Sequence, residues 1–282
     1  MNFSNIIEEI EKTDPEVYEK LDSRRSAMKN FLRFAGKASL ATLPFAVGGM
    51  FKKAYAGPNG TSSITDVLNF ALTLEYIEWE FYKKAVASGI IPNPTALAAL
   101  TTIRNHEAEH VAFLTTVITS LGATPVSFTA ASFDYTAHGT FPTVFTDYGV
   151  MLAVAQTFED TGVRAYKGQA GNLISSNEIL RAALRIHSVE ARHASHLREM
   201  RRRSGLLIPA GTLLQPWITL NQSGIASAAV QPSYDGEELT TQAGVNIVNI
   251  NGFTIAAEEA SEAFDEPLTK EEVVSIVTPF FA

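Results

Sequence analysis

Four stretches of helical periodicity lie between residues 62 and 203, and the apolar seam of each is broken by a glutamate where leucine or isoleucine would be expected. The first opens at Ser62 or Ser63 with Asp66 in its first turn, stops at Gly89, and carries Leu68, Leu72, Glu75, Trp79, Tyr82 and Val86. The second has Asn93 as N-cap ahead of Pro94, ends at Gly122, and reads Leu100, Ile103, Glu107, His110, Leu114, Val117, Leu121. The third runs from about Thr143 and fades at Gly168 to Gly171, with Tyr148, Leu152, Ala155, Glu159, Gly162 and Tyr166 in line. The fourth opens on Ser175-Ser176-Asn177-Glu178, the spacing of a capping box, and reads Ile179, Ala183, Ile186, Glu190, His193, Leu197, Met200. It closes on Arg201-Arg202-Arg203, cations that suit a helix C-terminus; an anionic docking patch is the alternative reading of that run. Short links join helices 1 and 2 and helices 3 and 4, whereas residues 122–142 separate the two hairpins. The expectation is an all-α fold, a four-helix bundle with one long crossover between helices 2 and 3.

A carboxylate in a bundle seam is costly unless it is paired or binds a cation. Glu107 and Glu190 are each followed by a histidine at i+3, His110 and His193, which shares their helix face. Four glutamates carry −4, two divalent ions carry +4, and neutral imidazoles add nitrogen donors without charge, so the sum is near zero. Protonated carboxyls sharing protons are the metal-free route to the same neutrality, and ordinary ion pairing is the plain alternative. The two hairpins repeat one another. Glu75 and Glu107 are 32 residues apart, Glu159 and Glu190 31 apart; Tyr82-Lys83 and Tyr166-Lys167 follow the first glutamate of each pair, and Glu-Ala-x-His with a later leucine, Leu114 or Leu197, marks the second. A pseudo-twofold bundle would bring the two halves face to face. The chain has no Cys, which excludes thiolate metal sites and thiol nucleophiles, and five of its six His fall in two short clusters.

These residues resemble the ferritin-like superfamily, the di-iron and di-manganese carboxylate bundles. Leu74-Glu75-Tyr76-Ile77-Glu78-Trp79-Glu80-Phe81-Tyr82 and Phe158-Glu159-Asp160-Thr161-Gly162-Val163 are similar to the bacterial ferritin-like and desiccation-related proteins in particular. The resemblance covers residues 62–203, and Glu262-Ala263-Phe264-Asp265-Glu266-Pro267-Leu268-Thr269 in the tail is similar as well. It implies two metal ions, iron before manganese, with Glu75 and Glu159 as ligands from helices 1 and 3, Glu107 and Glu190 bridging, and His110 and His193 giving one nitrogen each. It further implies redox handling of iron(II), dioxygen or peroxide in stress or desiccation protection, as a ferroxidase-type oxidase or with manganese catalase-like activity. A non-enzymatic envelope protein whose bundle keeps the site as a structural staple is one alternative; an iron-storage subunit is another. A homo-oligomer is compatible with all three.

Around these six residues several others are candidates for supporting contacts. Glu78, one turn from Glu75, is a possible extra ligand, with Gly162 at its repeat-related position. Tyr82 and Tyr166 lie two turns along the seam, as core residues with a satisfied hydroxyl, or as donors to a ligand or electron relays. His187 and Arg104, each one turn before a Glu-x-x-His glutamate, are candidate donors to a ligand, and His196 is a candidate for the rim. Asp160 is an outer candidate, His106 is read as structural because it points about 100° away from Glu107, and His138 in the crossover has no assigned role.

The flanks differ in kind. Residues 1–22 are polar; Ser23-Arg24-Arg25-Ser26-Ala27-Met28-Lys29 then precedes an apolar run from Ala38 to Phe51 and a small-x-small site at Ala54-Tyr55-Ala56. This is the layout of a signal peptide, and the paired arginines resemble a twin-arginine signal, with Ala27 where an aromatic is usual. The expectation is export to the periplasm or cell envelope of a bacterium with cleavage after Ala56; an uncleaved N-terminal helix is the alternative. The run is too short for stable membrane insertion. The chain has 22 basic and 30 acidic residues, and losing the first 56 would remove nine and seven of these, leaving 13 and 23, a net of −10, a poor match to nucleic acid. The expected division is thus 1–56 signal region, 57–203 bundle and 204–282 a C-terminal extension covering the bundle. Short strands are hinted between Val245 and Ile255, with a short helix at 256–264 and another after Thr269, where Glu272 completes a capping box.

Overall fold

The computed structural model describes residues 63–282, so the signal-like region at 1–56 lies outside the described residues. Four long helices carry the fold. Helix α1 (Ile64–Ala87) starts where Ser63 and Asp66 close a capping box. Helix α2 (Pro94–Ser120) is capped by Asn93, whose side chain accepts from the Ala96 N–H. Helix α3 (Tyr148–Ala170) starts later than the periodicity suggests. Turns occupy residues 143–146, and Asp147 caps the helix by accepting from the Gly149 and Val150 N–H groups. Helix α4 (Asn177–Ser204) lacks the expected capping box. Its N-cap is Ser176, so Glu178 stands at the second helical position and cannot reach back as a third-position glutamate would.

Helices α1 and α2 form one antiparallel hairpin, α3 and α4 the other, and the two hairpins pack through α1 against α3. The crossover supplies an aromatic layer. Phe133 and Tyr135 are buried against one another, Tyr135 also meets Phe81, Phe145 and Phe158, and its hydroxyl donates to Ile77 O at 2.7 Å. The chain end locks onto the crossover, with Phe281 bridged to Phe133 and Phe280 packed edge-on to Phe158. Among the described residues, no helix is long and apolar enough to cross a membrane.

Residues 204–282 wrap the outer side of α3. A two-residue hairpin pairs β1 (Thr241–Gln242) with β2 (Val245–Asn246), so only the start of the stretch from Val245 to Ile255 is strand. Two short helices follow, α5 (Ala257–Glu262) and α6 (Lys270–Val277); the second carries the expected Thr269–Glu272 box. The covering is close. A Cβ added to Gly168 on α3 would stand 1.9 Å from Leu268 O, so only glycine lets the tail lie there. As a result every residue from 151 to 166 is buried, on the outer face of α3 as well as the inner.

That outer face is polar. Arg198 on α4 donates through Nε and Nη2 to Asp160, at 3.2 and 2.6 Å, and the Tyr234 hydroxyl donates to the same carboxylate at 2.8 Å. Arg164 pairs with Glu237 at 2.7 Å and donates to Ser233 O, Asp235 O and Glu266 O. Arg201 is buried, donating to Gln156 Oε1 and to Leu207 O and Gly224 O. The arginine run is therefore split. Arg202 and Arg203 pair with Glu199 at the exposed helix end, whereas Arg201 is a tail anchor.

Candidate metal centre

The helical seams bring Glu75 of α1, Glu107 and His110 of α2, Glu159 of α3, and Glu190 and His193 of α4 to one place in the bundle interior. All four glutamates are fully buried. The six residues fall into two overlapping groups, Glu75–Glu107–His110–Glu190 and Glu107–Glu159–Glu190–His193, each with one donor atom per residue within 4.8 Å of the others. Glu107 and Glu190 belong to both, the placement expected of bridging carboxylates.

Both imidazoles turn Nδ1 inward. His110 Nδ1 lies 3.0 Å from Glu75, 3.1 Å from Glu107 and 3.2 Å from Glu190. His193 Nδ1 lies 2.9 Å from Glu107, 3.2 Å from Glu159 and 4.0 Å from Glu190. One N–H cannot serve three carboxylates. The consequence is that Glu107 Oε1 and both Glu190 oxygens are buried without a hydrogen-bond donor; His193 approaches Glu107 Oε1 out of line for one.

The electrostatics follow from this crowding. Burial, and then the charges of Glu107, Glu159 and Glu75, push the Glu190 carboxyl well above the ordinary range. Burial raises Glu107 to about 7, against the opposing pull of the neighbouring His110 and His193. Glu75 goes the other way: burial opposes it, but the His110 charge and hydrogen bonds from His110 and Tyr166 hold its carboxyl below the usual value. Burial disfavours the charged form of His193, yet Glu159, Glu107 and Glu190 outweigh it and hold its pKa up at about 11. His110 is raised in the same sense. Without a cation, the two imidazoles are the positive charges that hold this cluster of acids together.

The tyrosines cross between hairpins. Tyr82 of α1 donates to Glu159 Oε1 of α3 at 2.6 Å, and Tyr166 of α3 donates to Glu75 Oε1 of α1. Burial, and then the neighbouring carboxylate in each case, raises both hydroxyls well above the ordinary value, so both remain proton donors. The pseudo-twofold of the sequence is thus a reciprocal pair of contacts. Glu78 is buried beside the cluster, and burial and then the charges of Glu190 and Glu159 push its carboxyl up strongly. Its room comes from Gly162, where an added Cβ would stand 3.1 Å from Glu78 Oε1 and 3.4 Å from Glu190 Oε2.

Three candidates fall away. Arg104 is partly exposed and donates to its neighbour Asn105, because its side chain leaves α2 on the flank away from the carboxylates. His187 turns away from the carboxylates, its electrostatic partners being Asp265 of the tail and Lys167 of α3, so it does not support a ligand. His196 is exposed. Asp160, although adjacent to Glu159, points to the outer face and serves Arg198.

One residue read as structural belongs to the site. His106 Nδ1 lies 3.0 Å from His193 Nε2, with the two rings 15° from parallel. A turn of about 100° from Glu107 on α2 leads to the facing flank of α4, not to solvent; the position in a bundle was the signal that could have found it.

Against known proteins, the ferritin-like domain family matches residues 63–203, half of the chain. The chain belongs to the ferritin-like family. No match is found among curated proteins. The ferritin-like domain ends where α4 ends, so the tail anchored by Arg164, Arg198 and Arg201 lies beyond the matched residues. The buried oxygen-rich set with two imidazoles is compatible with two metal ions, and the donorless oxygens of Glu107 and Glu190 are where a cation would satisfy them.

Proposed function

We propose that this is an exported ferritin-like protein whose bundle holds a dinuclear iron or manganese centre and handles the redox chemistry of iron(II), dioxygen or peroxide. The observation that carries the reading is the pair of overlapping donor groups sharing Glu107 and Glu190, with three buried carboxylate oxygens left without a hydrogen bond among the described residues. Glu75, Glu107, His110 and Glu190 would hold one ion, and Glu107, Glu159, Glu190 and His193 the other. When bound, such a pair supplies one-electron changes at two adjacent positions and open sites for an oxygen-containing substrate.

The chain's own residues prepare that chemistry. Tyr82 and Tyr166 tie one oxygen of Glu159 and Glu75, and the other faces inward against His193 and His110 respectively. Leu72, Leu100, Leu114 and Leu197, all fully or nearly fully buried along the seams, keep bulk water from the carboxylates. Export, which places this chemistry in the cell envelope, is supported by the signal-like residues 23–56, and a role in stress or desiccation protection by the resemblance alone.

The test is aerobic turnover. The mature chain, loaded with iron(II) or manganese(II), should oxidise iron(II) or consume peroxide over many equivalents, and Glu190→Ala should abolish this. Metal uptake without turnover would favour a structural staple, and a large iron-filled particle on sizing would favour storage.

A further inference from the structure

The two halves of the centre are related by the sequence repeat, yet their surroundings are unequal. His193 has a partner on its outer nitrogen: His106 Nδ1 at 3.0 Å from His193 Nε2. The repeat-related position on α4, the residue before Glu190, is Val189, which offers His110 neither donor nor acceptor. A second asymmetry falls on the same half. Glu78 extends into the space left by Gly162, a space that Glu190 Oε2 also borders. That oxygen is the one nearer His193, whereas Glu190 Oε1 is the one near His110.

Tautomer logic gives the His106 contact its meaning. Both inward-facing nitrogens are Nδ1. A cation taken up by His193 Nδ1 leaves the ring proton on Nε2, and that N–H needs an acceptor to fix the ring. His106 Nδ1 is placed to accept it. His106 is therefore a positioning residue, acting on the centre only through His193. Glu78 adds a buried carboxylate beside the same half, on the side of Gly162 and Glu190 Oε2.

Resting on the dinuclear reading above, we infer that the two metal positions are unequal, and that the Glu107–Glu159–Glu190–His193 position, oriented by His106 and backed by Glu78, fills first and more tightly. The Glu75–Glu107–His110–Glu190 position follows.

The experiment is a titration of the chelator-treated chain with manganese(II), followed by calorimetry, together with anomalous diffraction at one equivalent. Wild type should bind in two steps, with the one-equivalent density beside His193. His106→Leu should weaken the tighter step by about 10- to 100-fold and leave the weaker step in place. His106→Asn, whose Oδ1 stands where the imidazole Nδ1 stood, should restore the tighter step. Recovery with Asn but not Leu separates acceptance of a hydrogen bond from mere packing. Two equal steps in wild type, density beside His110 at one equivalent, or a His106→Leu titration identical to wild type would overturn the inference. Wild type that takes up no manganese and no iron would remove the dinuclear reading itself, and this inference with it.

Discussion

Helix α3 carries two buried polar clusters back to back, and they are built on opposite rules. On its outer face Asp160 meets Arg198 and Tyr234, and Arg164 meets Glu237, so each acid has a cation and hydrogen-bond donors supplied by the chain. On its inner face Glu159 joins Glu75, Glu78, Glu107 and Glu190, with only His110 and His193 to oppose them and three oxygens without donors. Adjacent residues, Glu159 and Asp160, thus enter environments that differ in who supplies the positive charge. In the outer cluster each acid is paired within the chain, and the cluster docks the tail. The inner one is left short of positive charge, the condition of a site that receives it from outside.

The comparison breaks most visibly on removal of a cation from the complete cluster. Arg198→Met strands Asp160 in the interior, and unfolding experiments should show a loss of about 3–5 kcal/mol, with early proteolysis beyond Gly205 as the tail loosens. A loss below about 1 kcal/mol would mean that the outer cluster is not a structural lock.

The inner cluster should respond with the opposite sign. Glu190→Gln replaces a carboxyl that the metal-free chain neutralises only by taking up a proton, so at alkaline pH the chelator-treated variant should be more stable than wild type by about 1–3 kcal/mol while losing metal-induced stabilisation. A metal-free variant less stable than wild type would show that Glu190 is already satisfied by the protein.

The pH dependence sharpens the same contrast. Glu107 is raised by burial from 4.5 to about 7, so its contribution to stability is full below about 4.5 and lost as pH rises through about 7. Glu190 and Glu78 are shifted in the same direction, and Glu237 in the tail, raised by burial to about 7 despite Arg164, adds in the same sense. The metal-free chain should therefore melt at a lower temperature at pH 8 than at pH 5. Metal uptake needs carboxylates and neutral imidazoles, so the melting temperature gained on adding manganese should instead grow over the same interval. Parallel curves with and without metal would contradict the assignment.

The smallest effect belongs to the crossing tyrosines. Tyr82→Phe should cost about 1 kcal/mol in thermal unfolding, and Tyr166→Phe a similar amount, since each removes one hydrogen bond to a buried carboxylate. Unequal losses would show that the reciprocal contacts are not equivalent.

The sequence revealed the inner cluster more fully than the outer one, for a physical reason. Glu75, Glu107, Glu159 and Glu190 interrupt a 3.6-residue apolar rhythm, and the repeat between hairpins ties them together. The partners of Tyr82 and Tyr166 were open because a seam position gives the face and not the neighbour across it. The outer cluster leaves no such mark. Gln156, Asp160 and Arg164 follow one another along α3 as an ordinary solvated face would, and only the tail, whose Tyr234 and Glu237 come from an irregular stretch, turns that face into an interior. Arg201 shows the same effect: its place in a run of arginines gave no sign that one of the three would be buried. His106, Arg104 and His187 were misplaced because spacing along a helix fixes direction only, and what fills that direction comes from tertiary packing.

Metal is the proposed balance for the inner acids. Elemental analysis of the chain, purified without chelators and after loading with iron(II) or manganese(II), tests it directly against Glu107→Ala, which removes a carboxylate shared by both donor groups. About two ions per wild-type chain and fewer than about 0.2 in the variant are expected. Fewer than about 0.2 ions in wild type, unchanged in the variant, would contradict it.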